Sequence, residues 1–177
     1  MRRSLIALAA LAGVAATSAY GDAAKTQYGT WGFDIAAMSA EYHSAASTEL
    51  SKIYFRENQF GRAVKYANKA LDFNRYDLDA RQMLAVTYRK RNNAKEAADA
   101  LNQILALDPL NHFARFERSL WEQSESSRRA FVSLIRNELP HEAFLELAIW
   151  YDSIGQSKES EAVLQLAPQN AEAAYWL

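Results

Sequence analysis

The sequence contains no cysteine, no surplus of either charge and no long apolar run. The absence of cysteine excludes a disulfide framework, although it does not argue against export. Twenty Lys and Arg stand against 21 Asp and Glu, for a formal net charge of -1. That balance gives neither the basic footprint of a nucleic-acid binder nor a like-charge tail. Catalytic signatures are missing too. There is no Gly-x-Ser-x-Gly, no phosphate loop and no dinucleotide fingerprint. The histidines His43, His112 and His141 lie far apart with no ligand spacing, so they read as structural or surface residues and no metal is expected. No cofactor and no catalysis are expected either.

Half of the 177 residues are hydrophobic, enough for one modest domain. The N-terminus has the organisation of a secretory signal peptide over residues 1–21. Arg2 and Arg3 supply the positive start, and residues 5–16 form an apolar run. About a dozen residues is short for a membrane span, and Ala19 and Gly21 are small enough for signal peptidase. The mature protein is therefore expected in the periplasm or outside the cell, with no membrane span and a formal charge near -3 once two arginines are lost from -1. Residues 22–40 show no clear period and read as an exposed flexible linker.

From Leu50 onward the chain repeats itself with a period of about 34 residues, a spacing that signals stacked helical hairpins. Leu50 returns as Leu84, Tyr54 as Tyr88, Ala63 as Ala97 and Leu71 as Leu105. The turn Phe73-Asn74-Arg75-Tyr76-Asp77 is answered by Leu107-Asp108-Pro109-Leu110-Asn111. Leu50, Ile53 and Tyr54, like Leu84 and Tyr88, lie at helical spacing and make one apolar stripe per first helix. Ala63, Ala67 and Ala70, then Ala97, Leu101 and Ile104, do the same on the second helix. Alanine at 63 and 97 permits close approach of two helix backbones, where a larger residue would overpack by about 1–3 kcal/mol. The expected helices run over 41–57, 62–74, 78–91 and 94–107, with Asp77 and Asn111 as N-caps. Asn92 and Asn93 suit the turn between the last two.

This register resembles the tetratricopeptide repeat family. The resemblance implies an all-α, right-handed α-solenoid of about three to four helical hairpins over residues 41–177. The third hairpin, with Phe113, Phe116, Leu120 and Trp121 and then Phe131, Leu134 and Ile135, departs from the pattern. The fourth recovers it, because Leu147, Ala148 and Tyr151 repeat Leu84, Ala85 and Tyr88, and Gly155 closes the helix. Another helix is expected to begin at Ala171. The aromatic stripe Phe113, Phe116, Trp121, Trp150 and Tyr151 reads as core packing.

Two further resemblances touch parts of the chain. Tyr28-Gly29-Thr30-Trp31-Gly32-Phe33-Asp34 is similar to the start of mature neprilysin-like zinc metallopeptidases. Their activity does not carry over, because His-Glu-x-x-His is absent: Leu145 stands four residues after His141. Residues 108–151 are similar to tetratricopeptide segments of large bacterial proteins that also carry a carbohydrate-associated domain. A fragment of a larger secreted enzyme, carbohydrate-processing or peptidase, is the alternative to a stand-alone repeat protein.

Tetratricopeptide proteins bind peptides or partner helices on a concave face lined by the first helix of each hairpin. The family register places Glu49, Lys52 and Arg56 there, followed by Met83, Val86 and Lys90, then Glu117 and Leu120. Together with Arg89, the cations Lys52, Arg56 and Lys90 suit an acidic or C-terminal carboxylate group. The carboxylate clamp of chaperone-binding relatives wants Lys and Asn one turn apart, whereas Thr48 and Lys52 stand at those positions here. The expected function is a non-catalytic adaptor of the cell envelope that holds a protein or peptide partner in this groove.

Overall fold

A computed structural model describes residues 22–40, 42–135 and 140–167. Every regular element among them is an α-helix. In order these are α1 (Asp22–Ala36), α2 (His43–Arg56), α3 (Phe60–Phe73), α4 (Leu78–Lys90), α5 (Ala94–Leu107), α6 (His112–Glu122), α7 (Glu125–Ile135), α8 (Pro140–Ser153) and α9 (Ser157–Leu164). The chain divides into two compact units, Met1–Thr87 and Tyr88–Leu177. The expected signal peptide and the helix expected from Ala171 lie outside the described residues.

In the first unit, α2 and α3 form an antiparallel hairpin and α1 packs on α2. Ala63, Ala67 and Ala70 of α3 are fully buried, which bears out the close helix approach read from alanine at position 63. The crossing is also bonded: the buried Ser51 Oγ donates to the Ala63 carbonyl at 2.8 Å. Asp77 is the expected N-cap, its Oδ1 accepting from the Ala80 N–H at 3.0 Å. Its other oxygen accepts from Ser44 Oγ at 2.8 Å and Thr48 Oγ1 at 3.1 Å, tying the start of α4 to α2.

Residues 22–36 are helical where a flexible linker is expected. Phe33 and Ala36, one turn apart, are buried, and Asp34 accepts a hydrogen bond from the Tyr66 hydroxyl of α3 at 3.2 Å. Two glycines and the lack of a clear apolar period hide this helix from the sequence. Among the described residues, the contacts of Phe33 and Ala36 and the Asp34–Tyr66 bond help dock it on the hairpin, tertiary context overriding weak propensity.

In the second unit, Ala97, Ala100, Leu101 and Ile104 of α5 are buried and α8 and α9 form a hairpin. Ser160 Oγ donates to the Ala148 carbonyl at 2.9 Å, the Ser51–Ala63 bond with donor and acceptor helices exchanged. Pro140 opens α8, where its missing N–H costs nothing. Asn111 caps α6 as expected, accepting from the Ala114 N–H at 3.0 Å.

One device closes three of the first helices. Asn58, Asn92 and Gly155 stand in the left-handed region with φ of 59°, 57° and 74°. The next residue in each case, Gln59, Asn93 or Gln156, donates its N–H to the carbonyl of Tyr54, Tyr88 or Tyr151 at 2.8, 2.9 and 2.9 Å. This is the Schellman geometry, and asparagine and glycine supply it at least steric cost. The divergent hairpin uses Gln123 instead, with φ of 48° and a single bond from its N–H to the Ser119 carbonyl at 3.0 Å.

Candidate functional site

In the first unit, α2 presents Glu49, Lys52 and Arg56 one turn apart. Lys52 Nζ is bonded to Glu49 Oε1 at 2.9 Å and to Asp79 Oδ2 at 3.1 Å. Burial pulls the Lys52 pKa down, but Glu49 and Asp79 together outweigh it and the net shift is upward. Its charge is therefore already engaged within the unit. Arg56 is exposed and makes no ion pair among the described residues.

Met83 and Val86, placed in the groove by the family register, are fully buried. The register assumes that a first helix keeps one side open. Here Met83, Leu84, Ala85, Val86 and Thr87 are buried in succession, which covers the middle of α4 on every side. A helix apolar and buried all round is core rather than binding face. Glu117 is likewise inside, its side chain 2% exposed, and offers nothing directly to a partner.

Glu117 instead anchors a network within the second unit. Arg89, at the end of α4, grips it with both faces of the guanidinium fork: Nε donates to Oε2 at 2.6 Å and a terminal nitrogen to Oε1 at 3.0 Å. The Tyr151 hydroxyl of α8 donates to Glu117 Oε1 at 2.8 Å. The same Arg89 nitrogen reaches Glu159 Oε1 of α9 at 3.1 Å, and Lys90 Nζ reaches that oxygen at 2.7 Å. Two cations thus meet two carboxylates, and no charge is left over. Burial pushes the Tyr151 phenol well above its ordinary pKa, and Glu117 adds to the push. For Arg89, burial lowers the pKa but the neighbouring Glu117 carboxylate, with Tyr151 and Glu159, raises it further. For Glu159, burial works upward, yet the hydrogen bond and charge of Lys90, with Arg89, hold the carboxyl below its ordinary range.

Aromatic rings surround the network. Tyr151 packs on Phe113 and Phe116 at centroid distances of 5.9 and 5.5 Å, and Phe131 bridges Phe116 to Phe144 at 5.3 and 5.7 Å. Phe113, Phe116 and Tyr151 are core, as the stripe suggests, whereas Trp121 is exposed. Two open clefts adjoin it. One of about 420 Å³ is lined by Arg89, Lys90, Asn92, Leu120, Trp121 and Gln123. The other, of about 370 Å³, shares Leu120 and Gln123 and reaches Arg128 and the end of α9. Glu159, the residue that closes the network, carries no sequence signal of its own and lies 70 residues from Arg89. His43 stacks on Phe73 with centroids 3.6 Å apart, a packing role. Among the described residues no three His, Asp or Glu side chains gather as metal ligands.

Residues 37–118 match the tetratricopeptide repeat family. That match covers a little under half of the chain. Its hairpins superpose on TTC0263, a thermophilic tetratricopeptide protein of Thermus thermophilus, with a TM-score of 0.58 at 15% identity over 96% of this chain and 95% of that one. They superpose also on MamA, with a TM-score of 0.53 at 14% identity over 86% of this chain and 89% of that one. At such identities the likeness is one of fold, and it bears out the all-α tetratricopeptide class. No curated protein matches the sequence, so neither the neprilysin-like likeness near residue 28 nor the likeness to large carbohydrate-associated proteins gains support. No described helix is long and apolar enough to cross a membrane.

Proposed function

We propose that the protein is a non-catalytic adaptor of the cell envelope that binds a protein or peptide partner on the exposed faces of its helical hairpins. The observation that carries this reading is the tetratricopeptide repeat itself. Such hairpins cannot complete a core alone, they stack, and stacking leaves extended surfaces that serve as binding platforms. The signal-peptide organisation of residues 1–21 supports export. Within the first unit, exposed Arg56 and half-exposed Glu49 are the open positions of the expected groove, while Met83 and Val86 belong to the core.

A photo-crosslinking residue in place of Arg56, in the full chain expressed in its own host, tests the reading. Lys65, exposed on α3, serves as the control position. A discrete protein adduct at position 56 and none at position 65 is the expected result. Equal labelling at both positions, or no protein adduct at either, would overturn it.

A further inference from the structure

We propose that Arg89 and Lys90 form a carboxylate seat that the chain fills with its own Glu159, and that an acidic peptide displaces Glu159 from it to bind in the adjoining cleft. The inference rests on the adaptor reading and adds to it the chemistry of the ligand and the means of gating.

The argument begins with charge. The network balances two cations against two carboxylates, and the two carboxylates are held in different ways. Glu117 accepts three hydrogen bonds, from Arg89 twice and from Tyr151, and is 2% exposed. It is a fixed counter-ion that neutralises Arg89. Glu159 meets both cations through one oxygen, shared between Arg89 and Lys90 at 3.1 and 2.7 Å. Lys90 is 31% exposed, and the outer edge of the network therefore meets solvent. Remove Glu159 and one positive charge stands unmatched at the rim, so an entering carboxylate replaces it one for one. The exchange is charge-neutral, which is the condition under which a charged contact at a protein surface trades places readily.

The cleft supplies the rest of the ligand. Arg89 and Lys90 are part of its wall, together with Asn92, Gln123, Leu120 and the exposed Trp121. Two amides are suited to a peptide backbone, and the indole and leucine to one apolar side chain beside the carboxylate. About 420 Å³ admits a segment of two or three residues. The ligand class is thus a short acidic peptide with an aliphatic or aromatic residue next to Glu, Asp or a free C-terminus. Glu159 precedes Ala162 and Val163 on a helix that begins two residues after left-handed Gly155, so the competing carboxylate sits close to a turn.

The test uses the full chain and a fluorescein-labelled Leu-Glu-Glu-Leu peptide, with Leu-Gln-Gln-Leu as the neutral counterpart, followed by anisotropy. Glu159→Gln removes the competitor and is expected to tighten the acidic peptide about tenfold, leaving the neutral peptide unchanged. Adding Lys90→Gln is expected to cancel the gain. An affinity for the acidic peptide that is the same in Glu159→Gln as in the unsubstituted chain, or equal for both peptides, overturns the proposal. A second measurement stands if that variant does not fold. In the unsubstituted chain the Glu159 carboxyl, followed by carbon NMR, is expected to rise from its lowered pKa toward the ordinary glutamate value when the acidic peptide saturates. A Glu159 titration that the peptide leaves in place overturns displacement. Partner adducts at position 56 with no peptide effect here would keep the adaptor reading and discard the gate.

Discussion

Replacing Glu117 by leucine is expected to destabilise the second unit by about 3–4 kcal/mol. The figure follows from what the side chain holds. Breaking a buried ion pair by removing one partner costs about 3–5 kcal/mol, because the other charge is left without compensation. Arg89 keeps its 3.1 Å bond to Glu159, which Lys90 already engages, so the lower end of that range applies. The fully buried Tyr151 hydroxyl also loses its acceptor, a penalty of about 1 kcal/mol or more. The triple replacement Arg89→Met, Glu117→Leu, Tyr151→Phe removes all three polar groups together. It is expected to recover most of the loss and to lie within about 1 kcal/mol of the natural chain, since a buried ion network and a well-packed apolar substitute of like volume are nearly equivalent. Urea unfolding followed by far-UV circular dichroism reads the difference. With a slope of about 2 kcal/mol per molar, the single variant moves the midpoint down by roughly 1.5–2 M. A loss below about 1 kcal/mol, or a triple variant no better than the single, would refute the picture of a desolvated network.

Four further outcomes follow from the same geometry. Ala97→Arg puts a charge on the buried face of α5 and is expected to abolish much of the helical signal at moderate temperature; an unchanged melting curve would contradict the repeat register. Gln123→Gly relieves a left-handed residue and is expected to raise the melting temperature by about 2–4 °C, whereas a fall would mean that the side chain matters more than the strain. Burial, with Asp34 beside it, pushes the Tyr66 phenol up to about 12, above its unfolded value of 10.0. A raised folded pKa gives stability that is present below the unfolded pKa and lost as pH rises through the folded one, so the docking of α1 is expected to weaken between pH 10 and 12. Tyr66→Phe is expected to flatten that part of a stability–pH curve, and an equally steep curve would remove Tyr66 as its cause. Sequencing of the native N-terminus is expected to find a start near Asp22, against a start at Met1 if the leader is retained.

The hairpins were legible because their physics is local and repeated. Leu50 and Leu84, Tyr54, Tyr88 and Tyr151, and Ala63 and Ala97 recur because each hairpin solves the same packing problem, and Asp77 and Asn111 cap helices through residues three positions away. What stayed hidden depends on distant parts of the chain. The helix at 22–36 forms through contacts made by Phe33, Ala36 and Asp34 rather than through its own period. Met83 and Val86 occupy register positions that would be open on a helix with one free side, but α4 is covered all round. The spacing of Arg89 and Lys90 suits an acidic partner, but Glu117 and Glu159, 28 and 70 residues away from Arg89, already supply the acid. Residue type shows two cations that want carboxylates, and only the fold shows that the chain's own Glu117 and Glu159 pair with them.

Native mass spectrometry of the full chain, isolated under gentle conditions from its own host, tests the adaptor account most directly. The account predicts a stoichiometric complex with a different protein or peptide, released when the chain is unfolded. A bare chain at every concentration, free of any bound polypeptide, would contradict it.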